Sequence, residues 1–139
     1  MAENEALMRR WFRDVWKAGG EKTVDELLAA DCEGYVEGKE QIQTAREFQE
    51  FRAQLLDAFP DLVVEVEDII EQGDRVAIRW RCRGTHTGSG LGFAATLKPV
   101  AFRGMTWVEI RGGQIVRGWD SWNQGALLQS LMGPMAGVG

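Results

Sequence analysis

Residues 75–86 read RVAIRWRCRGTH, in which apolar and charged side chains alternate over the length of a long strand. Successive side chains of a strand point to opposite faces, so this alternation predicts one apolar face and one face of four arginines. The apolar set is Val76, Ile78, Trp80 and Cys82. We expect this face to meet a hydrophobic core, and the arginine face to lie outside it.

The same period of two continues on both sides of this stretch. Residues 62–70 alternate before a turn at Gln72-Gly73-Asp74, and residues 100–110 form another strand pattern. Gly112-Gly113 predicts a tight hairpin turn that leads into a last strand over residues 114–122. The second half of the chain is therefore predicted to be a meander of long strands.

The first half has the period of helices. An apolar stripe over residues 7–16 predicts a helix that Gly19-Gly20 end. Thr23-Val24-Asp25-Glu26 predicts a capping box that opens a short second helix through residue 29. Residues 31–37 are predicted to be irregular or extended, and residues 39–59 a long helix stopped by Pro60. The apolar stripe of this long helix is Ile42, Ala45, Phe48, Phe51, Leu55 and Phe59. A short last helix is predicted to carry Leu127, Leu128 and Leu131.

Helices followed by long strands in meander order predict an α+β fold. The strands are long for a flat sheet of this size, so we expect a strongly curved, antiparallel-rich sheet wrapped around the N-terminal helices. Residues 1–132 are expected to form a single domain, and residues 133–139 a flexible tail.

Composition narrows the classes of partner. The 139-residue chain has a formal net charge of -5 and a pI near 4.9, which argues against a nucleic acid or an anionic membrane as partner. No apolar run approaches the roughly 18–20 residues that span a bilayer. The acidic N-terminus lacks the pattern of a signal peptide, so we expect a cytoplasmic protein.

The chain has two cysteines, Cys32 and Cys82, and one histidine, His86. Their spacing fits no metal-ligand pattern, so no metal site is predicted. We expect both thiols to be free in a reducing compartment.

Asp120 is the most unusual residue of the last strand, which reads GWDSWN from residue 118. Aspartate is depleted in strands, and burying its charge without a partner is costly. In the absence of a bulge, Asp120 shares a face with the apolar markers Val116 and Trp122. The pattern therefore predicts that Asp120 points into the core, although a shift of one residue would turn it outward.

An inward Asp120 would lie in an apolar pocket. Desolvation there raises the pKa of a carboxyl group, which suits proton transfer beside a carbonyl. His86 is a second candidate acid/base, because its ordinary pKa lies near neutrality. Candidate substrate-binding residues on the inward faces and the helix stripe are Trp80, Trp122, Phe102, Thr106, Phe12 and Trp11.

Several motifs resemble the SnoaL-like polyketide cyclases, a family of the nuclear-transport-factor-2-like (NTF2-like) superfamily. The similarity covers nearly the whole chain. Its most specific parts are Gly84-Thr85-His86-Thr87-Gly88 and Trp119-Asp120. Its other parts are Phe59-Pro60-Asp61-Leu62, Val66-Glu67-Asp68, Gly73-Asp74-Arg75-Val76, Arg79-Trp80, Phe102-Arg103-Gly104 and Gly113-Gln114-Ile115-Val116.

The resemblance implies a cone-shaped fold with an open apolar pocket, often dimeric through the outer sheet face. It implies a cyclase or isomerase-like enzyme that acts on a hydrophobic, polyketide-like carbonyl compound by aldol or proton-transfer chemistry, without metal or cofactor. Asp120 matches the family's acid/base, and His86 matches the histidine of its motif.

The chain departs from the family pattern at two places. Tyr35 stands where many members have histidine, and residues 91–99 replace a characteristic loop sequence; both are expected at the mouth of the pocket. Ketosteroid isomerases of the same superfamily place a carboxylate base near Glu37. We therefore retain Tyr35 and Glu37 as candidate substrate-binding residues.

Other functions are compatible with the same fold. The chain could be a non-catalytic module that binds an apolar small molecule, or a dimeric structural partner in a larger complex. An epoxide hydrolase would need two carboxylates bridged by an arginine, and only Asp120 is well placed on the assigned faces.

Overall fold

The computed structural model describes residues 3–132, which form four helices and five strands. The elements are α1 (Glu3–Asp14), α2 (Glu21–Leu27), β1 (Leu28–Val36), α3 (Ala45–Ala58), β2 (Val63–Gln72), β3 (Arg75–Thr85), β4 (Pro99–Arg111), β5 (Gln114–Trp122) and α4 (Gln124–Met132). The predicted flexible tail, residues 133–139, lies outside the described residues.

The strands form one open sheet in the order β1-β5-β4-β3-β2. Strands β2 to β5 pair antiparallel, and only β1 runs parallel to its neighbour, β5. The ladders β1–β5, β2–β3 and β4–β5 each contain a register shift, and such irregularities bend a sheet. The predicted α+β class with a curved, antiparallel-rich sheet is confirmed.

One face of the sheet packs against the helices. The predicted alternation of β3 is confirmed, because Val76, Ile78, Trp80 and Cys82 are all buried. The core that these residues join includes side chains from all four helices. The opposite face carries the arginines of β3, and Arg79, Arg81 and Arg83 form ion pairs with glutamates of β2.

Two helix boundaries differ from the prediction. Helix α2 begins at Glu21 without a side-chain cap, so the capping box predicted at Thr23 is wrong, and residues 28–29 belong to β1. Helix α3 begins at Ala45 rather than Lys39, because Thr44 and Glu47 form a complete capping box. The apolar stripe could not reveal this start, since it continued into Ile42, which is 44% exposed.

Strand β5 contains a bulge that the sequence pattern did not predict. Glu109 pairs with Arg117 and Ile110 pairs with Ile115, which leaves Val116 without a partner. Ile115 is buried at 3% exposure, so the inward marker of the first half of β5 is Ile115 and not Val116. The bulge precedes Gly118, so the inward direction of Asp120, which pairs with Thr106, is unaffected.

A buried arginine joins α3 to the end of α1. The guanidinium of Arg52 donates from Nε to the Val15 carbonyl at 2.5 Å and from Nη2 to the Lys17 carbonyl at 2.6 Å. These carbonyls follow the last turn of α1, where backbone acceptors lack intrahelical donors. Arg52 is 5% exposed, and its only ion-pair partner among the described residues, Glu21, lies 3.5 Å away. Arg52 thus caps the end of α1: it donates to the Val15 carbonyl and adds a second donor to the Lys17 carbonyl, which also accepts from the Gly20 amide at 3.1 Å.

Candidate functional site

A cavity opens between the sheet and the helices. Its volume is about 100 Å³. Aromatic side chains from α1, α3 and the inner sheet face make up much of its wall. They are Trp11, Phe12, Phe48, Phe51, Trp80, Phe102 and Trp122. The segment between β1 and α3 contributes Lys39, Gln43 and Thr44 to the lining, so the polar side of the cavity lies there.

Asp120 lines this cavity from β5. Its Oδ1 accepts a hydrogen bond from the Thr106 hydroxyl at 2.5 Å, across the β4–β5 ladder. Thr106 Oγ1 in turn accepts from the indole Nε1 of Trp80 at 2.9 Å. Within the described residues no hydrogen bond engages Oδ2 of Asp120, and this atom is not among the fully buried polar atoms. One carboxylate oxygen is thus held by the protein, and the other is available to a ligand.

Desolvation raises the pKa of Asp120, and the hydrogen bond from Thr106 opposes that shift only in part. Asp120 as a whole residue is half-buried, yet its carboxyl group is desolvated. Both hold because the exposed part of the residue faces the apolar cavity and not bulk water. Asp120 therefore has the environment of a carboxyl group that gains and loses a proton near its ligand.

The raised pKa predicts that Asp120 makes stability depend on pH. The folded protein holds the Asp120 proton at pH values where the unfolded chain has released it, so the stability falls as pH rises above the ordinary aspartate pKa. Asp120→Asn removes this fall. We expect melting temperatures of the variant and the wild type to converge in acid and to separate as pH rises, with the variant higher. A difference that does not change with pH would contradict this prediction.

Gly104 makes room for the Trp80 indole. The two residues are paired across β3 and β4, and a Cβ built on Gly104 would lie 2.3 Å from Cζ2 of Trp80 and 2.9 Å from Cβ of Trp122. The ring therefore lies over the backbone of β4. From there Nε1 reaches Thr106, two residues further along the strand.

We predict that Gly104→Ala destabilises the protein by about 1–3 kcal/mol, the usual cost of overpacking a core. Gly118→Ala is the matched control on β5, because its Cβ would lie 3.7 Å from Val108 Cγ1, an ordinary contact. Urea denaturation measures both. Equal unfolding midpoints for the two variants would show that the indole moves aside without cost.

Seven of the ten residues predicted from the sequence line the cavity. They are Asp120, Trp80, Trp122, Phe102, Phe12, Trp11 and Thr106. The remaining three are Tyr35, Glu37 and His86, and the structure does not bring them to this cavity.

Tyr35 and Glu37 line a different depression, a groove of about 450 Å³ on the outer face of the sheet. Tyr35 stacks on Trp119 at a centroid distance of 5.2 Å, and Glu37 accepts a hydrogen bond from Ser121 at 3.1 Å. Cys32, Gly34 and Val36 point inward and line the cavity. Tyr35 and Glu37 alternate with these residues along the chain, so they lie on the outer face of the sheet. The expected location of Tyr35 at the cavity mouth is therefore wrong.

His86 is fully buried where β3 ends. Its Nδ1 accepts from the Thr96 amide at 3.0 Å, and its ring lies between Phe59 and Phe93 at centroid distances of 5.6 and 5.1 Å. Backbone bonds from His86 to Leu97 and Lys98 close the same loop. His86 thus anchors this loop and is separate from the Asp120 site.

The loop that departs from the family pattern was expected at the cavity mouth. Instead its Thr96 and Phe93 contact His86, and the residues just before it, Thr87 and Gly88, donate from their amides to the Ala58 carbonyl at the end of α3 at 3.1 and 3.2 Å. No residue from 86 to 98 lines the cavity. The mouth is formed by the segment before α3, with Lys39 as the only lysine, arginine or histidine in the lining.

Some lining residues were not predicted as part of a site. Phe48 and Phe51 were predicted on the apolar stripe of α3 only as core residues; both belong to the cavity wall. Cys82 also lines it, and burial raises the pKa of its thiol to about 12, which keeps it a neutral apolar group. In the sequence, the only signal that Phe48 and Phe51 could line a site was the number of aromatic side chains on α1 and α3. Residues 3–132 hold no cluster of three or more His, Cys, Asp or Glu placed to bind a metal ion.

Comparison with known proteins identifies both fold and family. The family model for SnoaL-like polyketide cyclases matches residues 6–131. A candidate SnoaL-like polyketide cyclase from Jannaschia sp. CCS1 is similar over 96% of this chain and 94% of its own, with 21% identity and a TM-score of 0.86. AclR from Streptomyces galilaeus, a candidate hydroxylase, is 28% identical over 95% of this chain and 82% of its own, with a TM-score of 0.84.

A protein from Catenulispora acidiphila with a ketosteroid isomerase-like fold, in complex with trimethylamine, is similar over 92% of this chain and 93% of its own. Its identity is 19% and its TM-score 0.73, so it shows the fold alone. No curated protein matches the sequence.

The fold and the cavity define a protein of the NTF2 and ketosteroid isomerase-like class. The chain belongs to the SnoaL-like polyketide cyclase family, as its motifs predicted. This family implies binding of a small molecule. Within residues 3–132, no helix has the length and apolar character needed to cross a membrane.

Proposed function

We propose that this protein is a cofactor-independent cyclase or isomerase-like enzyme that acts on a hydrophobic carbonyl compound. The observation that carries the proposal is the carboxyl group of Asp120 in an apolar cavity, with a raised pKa and one oxygen without a protein partner. Membership of the polyketide cyclase family supports a polyketide-like substrate.

In the proposed reaction Asp120 removes a proton from the carbon beside the carbonyl group. The resulting enolate attacks a second carbonyl of the same molecule, which forms the carbon–carbon bond of a ring. The Asp120 proton then passes to the new alkoxide, so the carboxylate is restored and protons balance. In this proposal the reacting part of the substrate occupies the cavity beside Asp120, and a longer substrate would extend past Lys39 and Gln43.

The test uses heptane-2,6-dione, which closes to 3-methylcyclohex-2-enone with loss of water when a base removes a terminal methyl proton. NMR in D₂O follows both closure and deuterium exchange at the carbons beside the carbonyls. We expect the protein to accelerate exchange above buffer, and the acceleration to vanish in Asp120→Asn. Saturable binding with neither exchange nor closure would contradict the enzyme and support a non-catalytic binding module.

We also propose that the protein is a homodimer through the outer face of the sheet. Four large apolar side chains that line the outer groove are exposed: Ile70 at 65%, Met105 at 61%, Trp107 at 45% and Trp119 at 38%. They lie on β2, β4 and β5, and exposed apolar patches of this kind favour protein–protein contact. The arginines of the same face are largely paired with glutamates, which lowers the cost of covering them.

Trp107→Glu is predicted to convert the dimer to a monomer, because it places a charge in the centre of the patch. Leu128→Glu on α4 is the control, since Leu128 is also exposed, at 38%, but lies outside the sheet. Sedimentation velocity at micromolar concentration distinguishes the two states. A wild-type protein that sediments as a monomer would contradict this proposal.

A further inference from the structure

The Asp120 site contains a hydrogen-bond chain that runs across three neighbouring strands. Trp80 on β3 donates to Thr106 on β4 at 2.9 Å, and Thr106 donates to Asp120 on β5 at 2.5 Å. Trp80 and Thr106 were predicted to contact substrate. Their contacts with each other and with Asp120 indicate a different role.

The chemistry of the indole group sets the direction of this chain. An indole N–H can only donate a hydrogen bond, whereas a hydroxyl group both donates and accepts. Because Thr106 Oγ1 accepts from Trp80, its single hydrogen is available to Asp120 Oδ1. If the Thr106 hydroxyl accepted from Asp120 as well as from Trp80, its own hydrogen would have no acceptor among the described residues, which is costly for a group that is 8% exposed.

The position of Trp80 is itself strongly restrained. The residue is 8% exposed, its ring packs edge-on against Phe102 at 6.2 Å, and it lies over Gly104. Buried donors that lose their acceptor carry a substantial energetic cost. The indole N–H therefore holds Thr106 in one orientation whether Asp120 is charged or neutral.

We infer that Trp80 and Thr106 are positioning residues that reserve Oδ1 of Asp120 as an acceptor and make Oδ2 the oxygen that exchanges protons with substrate. This inference rests on the proposed function, in which Asp120 is the proton-transfer group. Oδ2 serves both as the base that removes a proton and as the acid that returns it, and the carboxyl group does not rotate between the two steps.

The first measurement is made on the wild-type protein without substrate, and variants serve only to assign its signals. The chain has six tryptophans, so its ¹H–¹⁵N spectrum contains six indole signals, of which Trp80→Phe identifies one. We expect the Trp80 indole proton shift to follow the same titration curve as the Asp120 carboxyl carbon, observed with ¹³C-labelled aspartate and assigned with Asp120→Asn. The indole signal of Trp107 is the internal control, because Trp107 alternates with Thr106 on β4, is 45% exposed and has the Arg75 guanidinium over its ring.

The second measurement compares the pKa of Asp120 in four variants. Thr106→Val removes the donor to the carboxylate and should raise the Asp120 pKa above that of the wild type, whereas Thr106→Ser should restore the wild-type value. Trp80→Phe removes the indole bond that polarises the Thr106 hydroxyl and should raise the Asp120 pKa by a smaller amount. Trp122→Phe, in the same cavity but without a bond to Thr106, should leave it nearly unchanged.

A Trp80 indole shift that is independent of pH while Asp120 titrates would overturn the inference. The same conclusion follows if Trp80→Phe and Trp122→Phe have equal effects, or if Thr106→Val does not raise the Asp120 pKa. If Thr106→Val fails to fold, Thr106→Ser and the wild-type indole titration still decide. These readouts involve no turnover, so an inactive protein with the expected titrations would refute the proposed enzyme and leave the hydrogen-bond chain intact.

Discussion

Asp120→Asn is expected to lower kcat/KM for heptane-2,6-dione by about 10²–10⁴-fold, the usual contribution of a positioned acid/base group. Asparagine keeps the shape of the side chain, and its carbonyl oxygen still accepts from Thr106. It cannot remove the substrate proton. The loss should therefore appear in kcat more than in KM, because a ligand in the apolar cavity keeps its other contacts.

Glu37→Gln is the matched control for this prediction. Glu37 follows β1, accepts from Ser121 and lines the outer groove, so its carboxylate does not reach the cavity. Its replacement should leave kcat/KM within about twofold of the wild type if surface changes have their usual small effects. Full activity in Asp120→Asn, or equal losses in the two variants, would remove Asp120 from the mechanism.

Arg52→Leu is expected to lower the free energy of unfolding by about 2–4 kcal/mol. Leucine fills part of the space but provides no donor for the Val15 carbonyl, which Arg52 holds at 2.5 Å, and it leaves the Lys17 carbonyl only its bond from the Gly20 amide. For a domain of this size the melting temperature should fall by roughly 10 °C. Urea denaturation with linear extrapolation gives the free energy directly.

Two further variants separate the bonds of Arg52 from its charge. Arg52→Lys keeps the charge but lacks the planar fork that donates to two carbonyls, so its stability should lie between wild type and Arg52→Leu. Arg46→Leu, on the exposed side of the same helix, should change the free energy of unfolding by less than about 0.5 kcal/mol. If Arg52→Leu and Arg46→Leu are equally stable, the cap at the end of α1 contributes nothing.

The inward direction of Asp120 illustrates how far a periodic pattern extends. Trp122 and Asp120 are two residues apart with no bulge between them, so Trp122 correctly indicated the inward direction of Asp120. Val116 did not indicate it correctly, because the bulge at that residue interrupts the alternation. Before the bulge the buried, inward residue is Ile115. A pattern of alternating residues holds only between bulges, and a bulge depends on how the neighbouring strand pairs.

The cavity residues outside the prediction have a similar explanation. The sequence placed Phe48 and Phe51 on the apolar face of a helix, but an apolar face packs a core or lines a cavity with the same residue types. Which of the two occurs depends on the distance between helix and sheet. The curvature of the sheet sets that distance, and it arises from register shifts that the sequence pattern did not reveal.

By itself the sequence determined the α+β class, the apolar face of β3, the family and the inward direction of Asp120, because these depend on periods and motifs within single segments. The tertiary structure alone decided that His86 anchors a loop, that Tyr35 faces outward, and that Trp80, Thr106 and Asp120 form one chain of hydrogen bonds. These three residues are separated by 26 and 14 positions in sequence and meet only through the register of three strands. A local pattern carries no information about that register, which is set by the packing of the whole sheet.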